Sequence, residues 1–320
     1  MTDALLHAYT PLILWMGLGL ILFRFIPQDF PRFLGRGLYW VGGPLQILAL
    51  ARRTDFAQGV GMAPLVTFAA LGIGLGLAAL CLFGFQQLAH YPAHPLASRF
   101  AWLGERSAQG SFLLAATLGN TGYVGLGLSP ALIGTHHLGW SVSYSITHSL
   151  VGGYGIGVML ASRFSRPEQD NHWWLQLRDV LLAPSLWAFG CGIFTRTWEL
   201  PTLIDSGLQL SLWLIIPSAF LLIGMRLSQL RGWSSFQPAL LPATVRVLIV
   251  PILIGLGTTG VGLSGDPRLA VVLMAGMPTA FVGLVLAEEY NLDRQLVAGS
   301  IALTTMALLG TIPIWLLLFH

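Results

Sequence analysis

Lysine is absent from this 320-residue chain, cysteine occurs twice, and charged residues of every kind make up only 9% of it. Soluble domains average about 25% charged residues. This composition, with 55% hydrophobic residues and a mean hydropathy of +0.73, therefore excludes an ordinary soluble fold. The two cysteines, Cys81 and Cys191, both fall within apolar runs, which excludes a disulfide framework and reads as two buried thiols. Carboxylates are missing where a cation exchanger needs them, since all thirteen Asp and Glu lie in loops or at the ends of apolar runs. That disfavours a sodium–proton antiporter, which exchanges through an acidic residue inside the membrane. No Ser-His-Asp set can be assembled within the runs, and His90 and His94, around Pro92, have no Cys or acidic neighbour to complete a metal site. Neither an enzyme nor a metal or cofactor site is expected. Gly72-x-Gly74-x-Gly76 lies inside an apolar run and reads as small-residue helix packing, not as a nucleotide loop.

What is present is apolar length. Runs near the roughly 20 residues that cross about 30 Å of hydrocarbon fill almost the whole chain. Ten spans are expected, over about 8–26, 35–51, 62–88, 108–133, 138–162, 178–196, 206–227, 238–262, 268–289 and 296–319. The first lacks a charged flank and a cleavage site and is expected to stay in place. All sixteen cationic residues are Arg. Eleven fall in the connections of one side, four (Arg52, Arg53, Arg196, Arg268) in those of the other, and Arg246 inside a span. The positive-inside rule then places both termini outside. The net charge of +3 reports this asymmetry and calls for no nucleic-acid partner. Trp173 and Trp174, in the longest inner connection, suit an interfacial anchor.

Residues 120–128 (Asn-Thr-Gly-Tyr-Val-Gly-Leu-Gly-Leu) and 278–286 (Pro-Thr-Ala-Phe-Val-Gly-Leu-Val-Leu) share five identities and interrupt the fourth and ninth runs. Those runs are counterparts if ten spans divide as five plus five, and so are the second and seventh, which hold Pro44 and Pro217. An odd number of spans per half inverts the second half. Paired interruptions in such halves point to a carrier's binding site. If the helices unwind there, two half-helices start near Gly119–Gly122 and near Thr279 and face each other at mid-membrane. Their N-termini favour an anion, and Asn120, Thr121 and Thr279 add hydrogen bonds. The opposed C-terminal carbonyls could instead hold a cation.

Three further polar residues stand within spans. Arg246 is the one deep charge, costing roughly 2.5–3.5 kcal/mol on insertion scales, and is expected to pair either with half-helix carbonyls or with an anionic substrate. His148 is the central residue able to titrate near neutral pH, as a proton carrier or as a packed histidine. Gln46, beside Pro44, faces the cavity or bonds another helix. Glu288 and Glu289 come about ten residues after the second break, or about 15 Å of helix, which puts them near the inner surface.

The segment Leu118-Gly119-Asn120-Thr121-Gly122-Tyr123-Val124-Gly125-Leu126 resembles the fourth-span signature of the auxin efflux carrier family. Ala275-Gly276-Met277-Pro278-Thr279-Ala280 resembles its ninth-span segment, Gly19 to Arg24 its first-span ending, and Arg246 stands where bacterial members often carry a basic residue. Gly127 and Thr279 depart from the pattern by replacing prolines. The resemblance implies an all-α membrane protein of ten helices in two inverted five-helix repeats, with crossed broken helices in spans 4 and 9. Residues 1–162 would form the first repeat, 163–177 a short cytoplasmic connection and 178–320 the second repeat. Spans 1, 2, 6 and 7 would be a scaffold, and spans 3–5 and 8–10 a transport domain. It also implies a homodimer in a bacterial inner membrane that moves a small organic anion by an elevator-type mechanism. Asn120 would sit at the substrate carboxylate among Gly119, Thr121, Gly122, Met277, Pro278, Thr279 and Gln46. Coupling to protons or sodium is left open. The competing expectations are a sodium-coupled symporter of the bile-acid type and a membrane anion sensor.

Overall fold

The computed structural model describes residues 2–53, 61–89, 100–166, 172–229 and 236–319. His90, Pro92, His94, Arg99 and Arg231 lie outside the described residues. The described chain is helical, with no strand and a single isolated β-bridge. Five helices are long and apolar enough to cross a membrane by length and composition: Thr2–Leu22, Met62–Gln87, Thr202–Ser228, Leu240–Gly260 and Arg294–Phe319. A sixth forms if Trp173–Leu181 and Pro184–Phe194, bent by 51°, count as one.

In chain order the helices are α1 (Thr2–Leu22), α2 (Phe30–Gly37), α3 (Gly43–Arg53), α4 (Met62–Ala89), α5 (Arg106–Thr117), α6 (Leu126–Leu132), α7 (Leu138–Thr147) and α8 (Val158–Ser165). Then come α9 (Trp173–Leu181), α10 (Pro184–Phe194), α11 (Thr202–Ser228), α12 (Leu240–Thr244), α13 (Val250–Gly260), α14 (Gly265–Ala275), α15 (Phe281–Glu289) and α16 (Arg294–Phe319). The pieces between the five long helices have identifiable causes. Wider π turns at Leu38–Gly42 and His148–Gly157 join α2 to α3 and α7 to α8. The second of these is glycine-rich, which lowers the cost of the irregular register. Pro217, the expected counterpart of Pro44, stays inside the continuous α11.

Close helix crossings depend on glycine. A Cβ on Gly19 would lie 2.1 Å from the Leu221 carbonyl oxygen, and one on Gly224 would lie 2.0 Å from that of Met16, so α1 and α11 meet backbone to backbone. Gly192 lets α10 press on Leu48 and Ala51 of α3. Within the Gly72–Gly76 run no glycine makes such an approach: a Cβ on Gly74 would meet Ala116 and Thr117 at ordinary contact distances of 3.5 and 3.6 Å, so packing there does not require glycine. The core surrounds the interruptions: residues 110–121 and 269–281 are buried without exception. Broken backbone thus sits inside protein, as the absence of water in lipid requires. The cysteines differ from expectation, since Cys81 is half-buried and Cys191 exposed on α10. In a lipid-facing helix a thiol needs no burial, because it is itself apolar.

Candidate functional site

Both expected interruptions form. α5 ends at Thr117, residues 118–120 are non-helical, and a π turn over Thr121–Gly125 leads into α6. α14 ends at Ala275 and helix resumes at Phe281. The two gaps pair with each other in an antiparallel bridge between Gly119 and Thr279. The Asn120 N–H donates to the Pro278 carbonyl at 2.7 Å, and the Ala280 N–H donates to the Leu118 carbonyl at 2.9 Å. This register sets Asn120 opposite Pro278, the two positions that the sequence repeat makes equivalent.

A helix end leaves its last carbonyls unpaired, and here each break supplies partners for the other. Thr279 Oγ1 donates to the Ala115 carbonyl at 3.0 Å, while the Thr279 N–H donates to Thr304 Oγ1 at 3.0 Å. A proline at 279 would provide neither donor, so the departure from the family pattern is put to use. Arg246, fully buried in the π turn Val245–Ile249, donates from Nε to the Met277 carbonyl (3.1 Å) and from Nη1 to the Thr117 carbonyl (3.0 Å). Its guanidinium reaches them because residue 119 is glycine: a Cβ there would lie 1.7 Å from Nη2. Arg246 therefore neutralises the C-terminal ends of both breaks, one of the two roles expected of it, and does not line the cleft described next.

That cleft, about 490 Å³, opens on the other side of the crossing. Of the expected residues Gln46, Gly119, Asn120, Gly122 and His148 line it, joined by Tyr123, Tyr154, Phe281 and Val282. Thr121, Met277, Pro278 and Thr279 are buried beside it, holding the crossing together. Asn120 Oδ1 accepts from the N–H groups of Tyr123 (3.3 Å) and Val124 (3.4 Å), capping its own half-helix. Its Nδ2 is buried with no partner. The first N–H groups of α15, at Phe281 and Val282, have no carbonyl one turn back to bond. Two electropositive helix starts and a free amide thus converge on one space.

The opposite wall is α2–α3. In the π register the Tyr39 carbonyl would bond residue 44, but Pro44 has no N–H. Tyr154 Oη donates to it instead, at 3.2 Å, and Tyr123 Oη donates to the Leu38 carbonyl at 3.2 Å. Gln46 Nε2 donates to the Gly122 carbonyl at 2.7 Å, so it both faces the cavity and bonds the neighbouring helix. His148 Nε2 accepts from the Gly119 N–H at 3.3 Å. A ring nitrogen that accepts carries no proton, so His148 is neutral in this arrangement. The two tyrosines escaped the sequence reading; for Tyr154 the signal was Pro44, whose missing N–H leaves the Tyr39 carbonyl in need of a donor from elsewhere.

Residues 177–316 match the family model of the membrane transport proteins. The chain is also 28% identical over 203 residues to an uncharacterized transporter of Methanothermobacter thermautotrophicus. That match covers 63% of this chain and 65%, just under two thirds, of the relative. The second half of the chain is thus similar to the membrane transport proteins, and the apolar helices with their buried crossing suit a multi-pass membrane protein.

Proposed function

We propose that the protein is a secondary carrier of small organic anions, of the auxin efflux type. In this reading a single carboxylate is held at Asn120 between the starts of the two broken helices. The observation that carries the reading is the Asn120 side chain: its oxygen is spent on the helix cap, and its buried NH₂, on a residue that lines the cleft, has no partner. Buried donors without partners are rare, and a carboxylate oxygen supplies what this one lacks. The remaining wall of the cleft, with Ile47, Tyr123, Tyr154, Phe281 and Val282, is largely apolar. Among the lining residues there is no Arg to meet a second negative charge. The preferred substrate is therefore a monocarboxylate with an apolar body, over a dicarboxylate.

The half-helix carbonyls that might have held sodium are engaged by Arg246. That favours sodium-independent transport over a symporter of the bile-acid type. The helix contacts support two inverted repeats: the most extensive pairs are α1 with α11 and α10 with α3, which exchange under a five-plus-five division. On this reading α1–α3 and α9–α11 are the scaffold, and the helices of spans 3–5 and 8–10 move as an elevator. We place the carrier as a homodimer in a bacterial inner membrane, both termini outside. A binding screen of purified protein against mono- and dicarboxylates, with and without sodium, tests the reading. It expects sodium-independent monocarboxylate binding; binding that appears only with sodium would favour the symporter.

A further inference from the structure

We infer that Glu288 and Glu289 of α15, with Arg32, Arg36 and Arg226, form an ionic latch that closes the arginine-rich end of the cleft and opens during transport. The inference rests on the proposed division into scaffold and moving helices, and adds the contact that holds the two in the present arrangement.

Among the described residues, ion pairs at the two ends of the molecule join different things. At the end where α3 stops and α11 begins, Arg53 meets Asp205 at 2.9 Å, scaffold to scaffold. His137 meets Asp266 at 3.2 Å, and Arg268 donates to the Phe319 carbonyl at 3.1 Å, both within the moving set. At the arginine-rich end, apart from Arg178–Asp179 within α9 (3.0 Å), the pairs cross between the sets. Glu288 Oε1 meets Arg226 Nη2 of α11 at 2.8 Å, and its Oε2 lies 3.9 Å from Arg32 Nε of α2. Glu289 meets Arg36 Nε of α2 at 2.6 Å. Asp179 of α9 likewise takes Arg166, just past α8, at 2.7 Å and Ser162 of α8 at 2.9 Å.

The place of these pairs matters as much as their number. A narrow crevice with room for about one water lies between α2, α11, α15 and α16. Its walls include Phe281, which also lines the cleft, and Arg226, which holds Glu288. The latch therefore stands beside a crevice whose Phe281 wall is shared with the cleft. There α2 packs on α11 and α15 at contact distance, with Leu222 and Val285 each 3.6 Å from where a Gly35 Cβ would be. Glu288 is buried, its side chain 4% exposed, and its Oε2 has no hydrogen bond. A permanent strut would have both oxygens satisfied; a carboxylate left half-satisfied suits a contact that is broken and remade. α15 presents the pair rigidly. Asn291, at φ 53°, ends the helix with the Leu292 N–H donating to the Ala287 carbonyl at 2.9 Å, and Asp293 caps α16 through the N–H groups of Gln295 and Leu296.

The test reads access to the crevice, not flux. Leu284, buried on α15 and lining the crevice, becomes the reporter as Leu284→Cys in a Cys81→Ala/Cys191→Ala background. It is labelled by a membrane-impermeant maleimide added from the arginine-rich side of oriented proteoliposomes. Glu288→Gln and Glu289→Gln should each raise the labelling rate by about fivefold or more, the low end of ordinary coupling between states. The exchange Arg36→Glu with Glu289→Arg should restore slow labelling. If Glu288→Gln fails to fold, the half-exposed Glu289–Arg36 pair carries the test alone. Unchanged labelling in folded variants, or an exchange that does not restore it, overturns the latch. Carboxylate binding by the reporter protein is measured alongside: its absence with labelling behaving as described would defeat the proposed substrate and leave the latch standing.

Discussion

Asn120 performs two tasks with the two ends of one amide. Its oxygen caps the half-helix that begins at Thr121, and its nitrogen is buried without a partner, the donor that the proposed function gives to the carboxylate. The tasks can be separated by substitution. Asn120→Asp keeps an acceptor for the Tyr123 and Val124 N–H groups and turns the donor into a second acceptor of like charge to the substrate. Thermal stability in detergent should hold while carboxylate affinity falls at least about tenfold, the scale of a lost hydrogen bond to a charged group. Asn120→Ala should lose affinity and also the cap, worth about 1 kcal/mol. Arg246 is the opposite case, a charge with a structural post. Arg246→Ala orphans the buried carbonyls of Thr117 and Met277 at about 1–3 kcal/mol each, and should lower the melting temperature even with no ligand present. Arg246→Lys, with one compact donor head in place of a fork, should restore part of that loss.

At the scale of elements, the two interruptions work because each completes the other. Both breaks were legible in the chain, since the repeat of 120–128 in 278–286 marked them and the helices part close to those residues. What covers the loosened backbone was not legible. Nothing local to Pro44 says that Tyr154, more than a hundred residues on, brings its hydroxyl to the Tyr39 carbonyl. Nor does proline alone decide the outcome, since Pro217 leaves α11 continuous. The π turns at Leu38–Gly42 and His148–Gly157 gave no periodic signal, because apolar residues surround them on every face. Gly43 tests this part of the account: its Cβ would lie 2.4 Å from Tyr154 Oη. Gly43→Ala should cost about 1–3 kcal/mol, the usual cost of overpacking. Adding Tyr154→Phe should recover much of it, as read by unfolding of the double variant.

For the whole molecule, burial and charge are arranged around one crossing. On the proposed division, the ion pairs between scaffold and moving helices gather around Arg32, Arg36, Arg166 and Arg226. Sequence alone could not pair them, because the partners lie on α2, α11 and α15, far apart in the chain. The packing of α1 on α11 depends on their backbone contact at Gly19 and Gly224. Gly19→Val sets a side chain into the Leu221 carbonyl and should lower the melting temperature without changing carboxylate affinity in the fraction that folds. The central claim is that a carboxylate bound at the crossing is carried across the membrane. Uptake of a radiolabelled apolar monocarboxylate into sodium-free proteoliposomes tests it most directly. Saturable uptake that Asn120→Asp abolishes is the predicted result; saturable binding with no uptake by the native protein would contradict it.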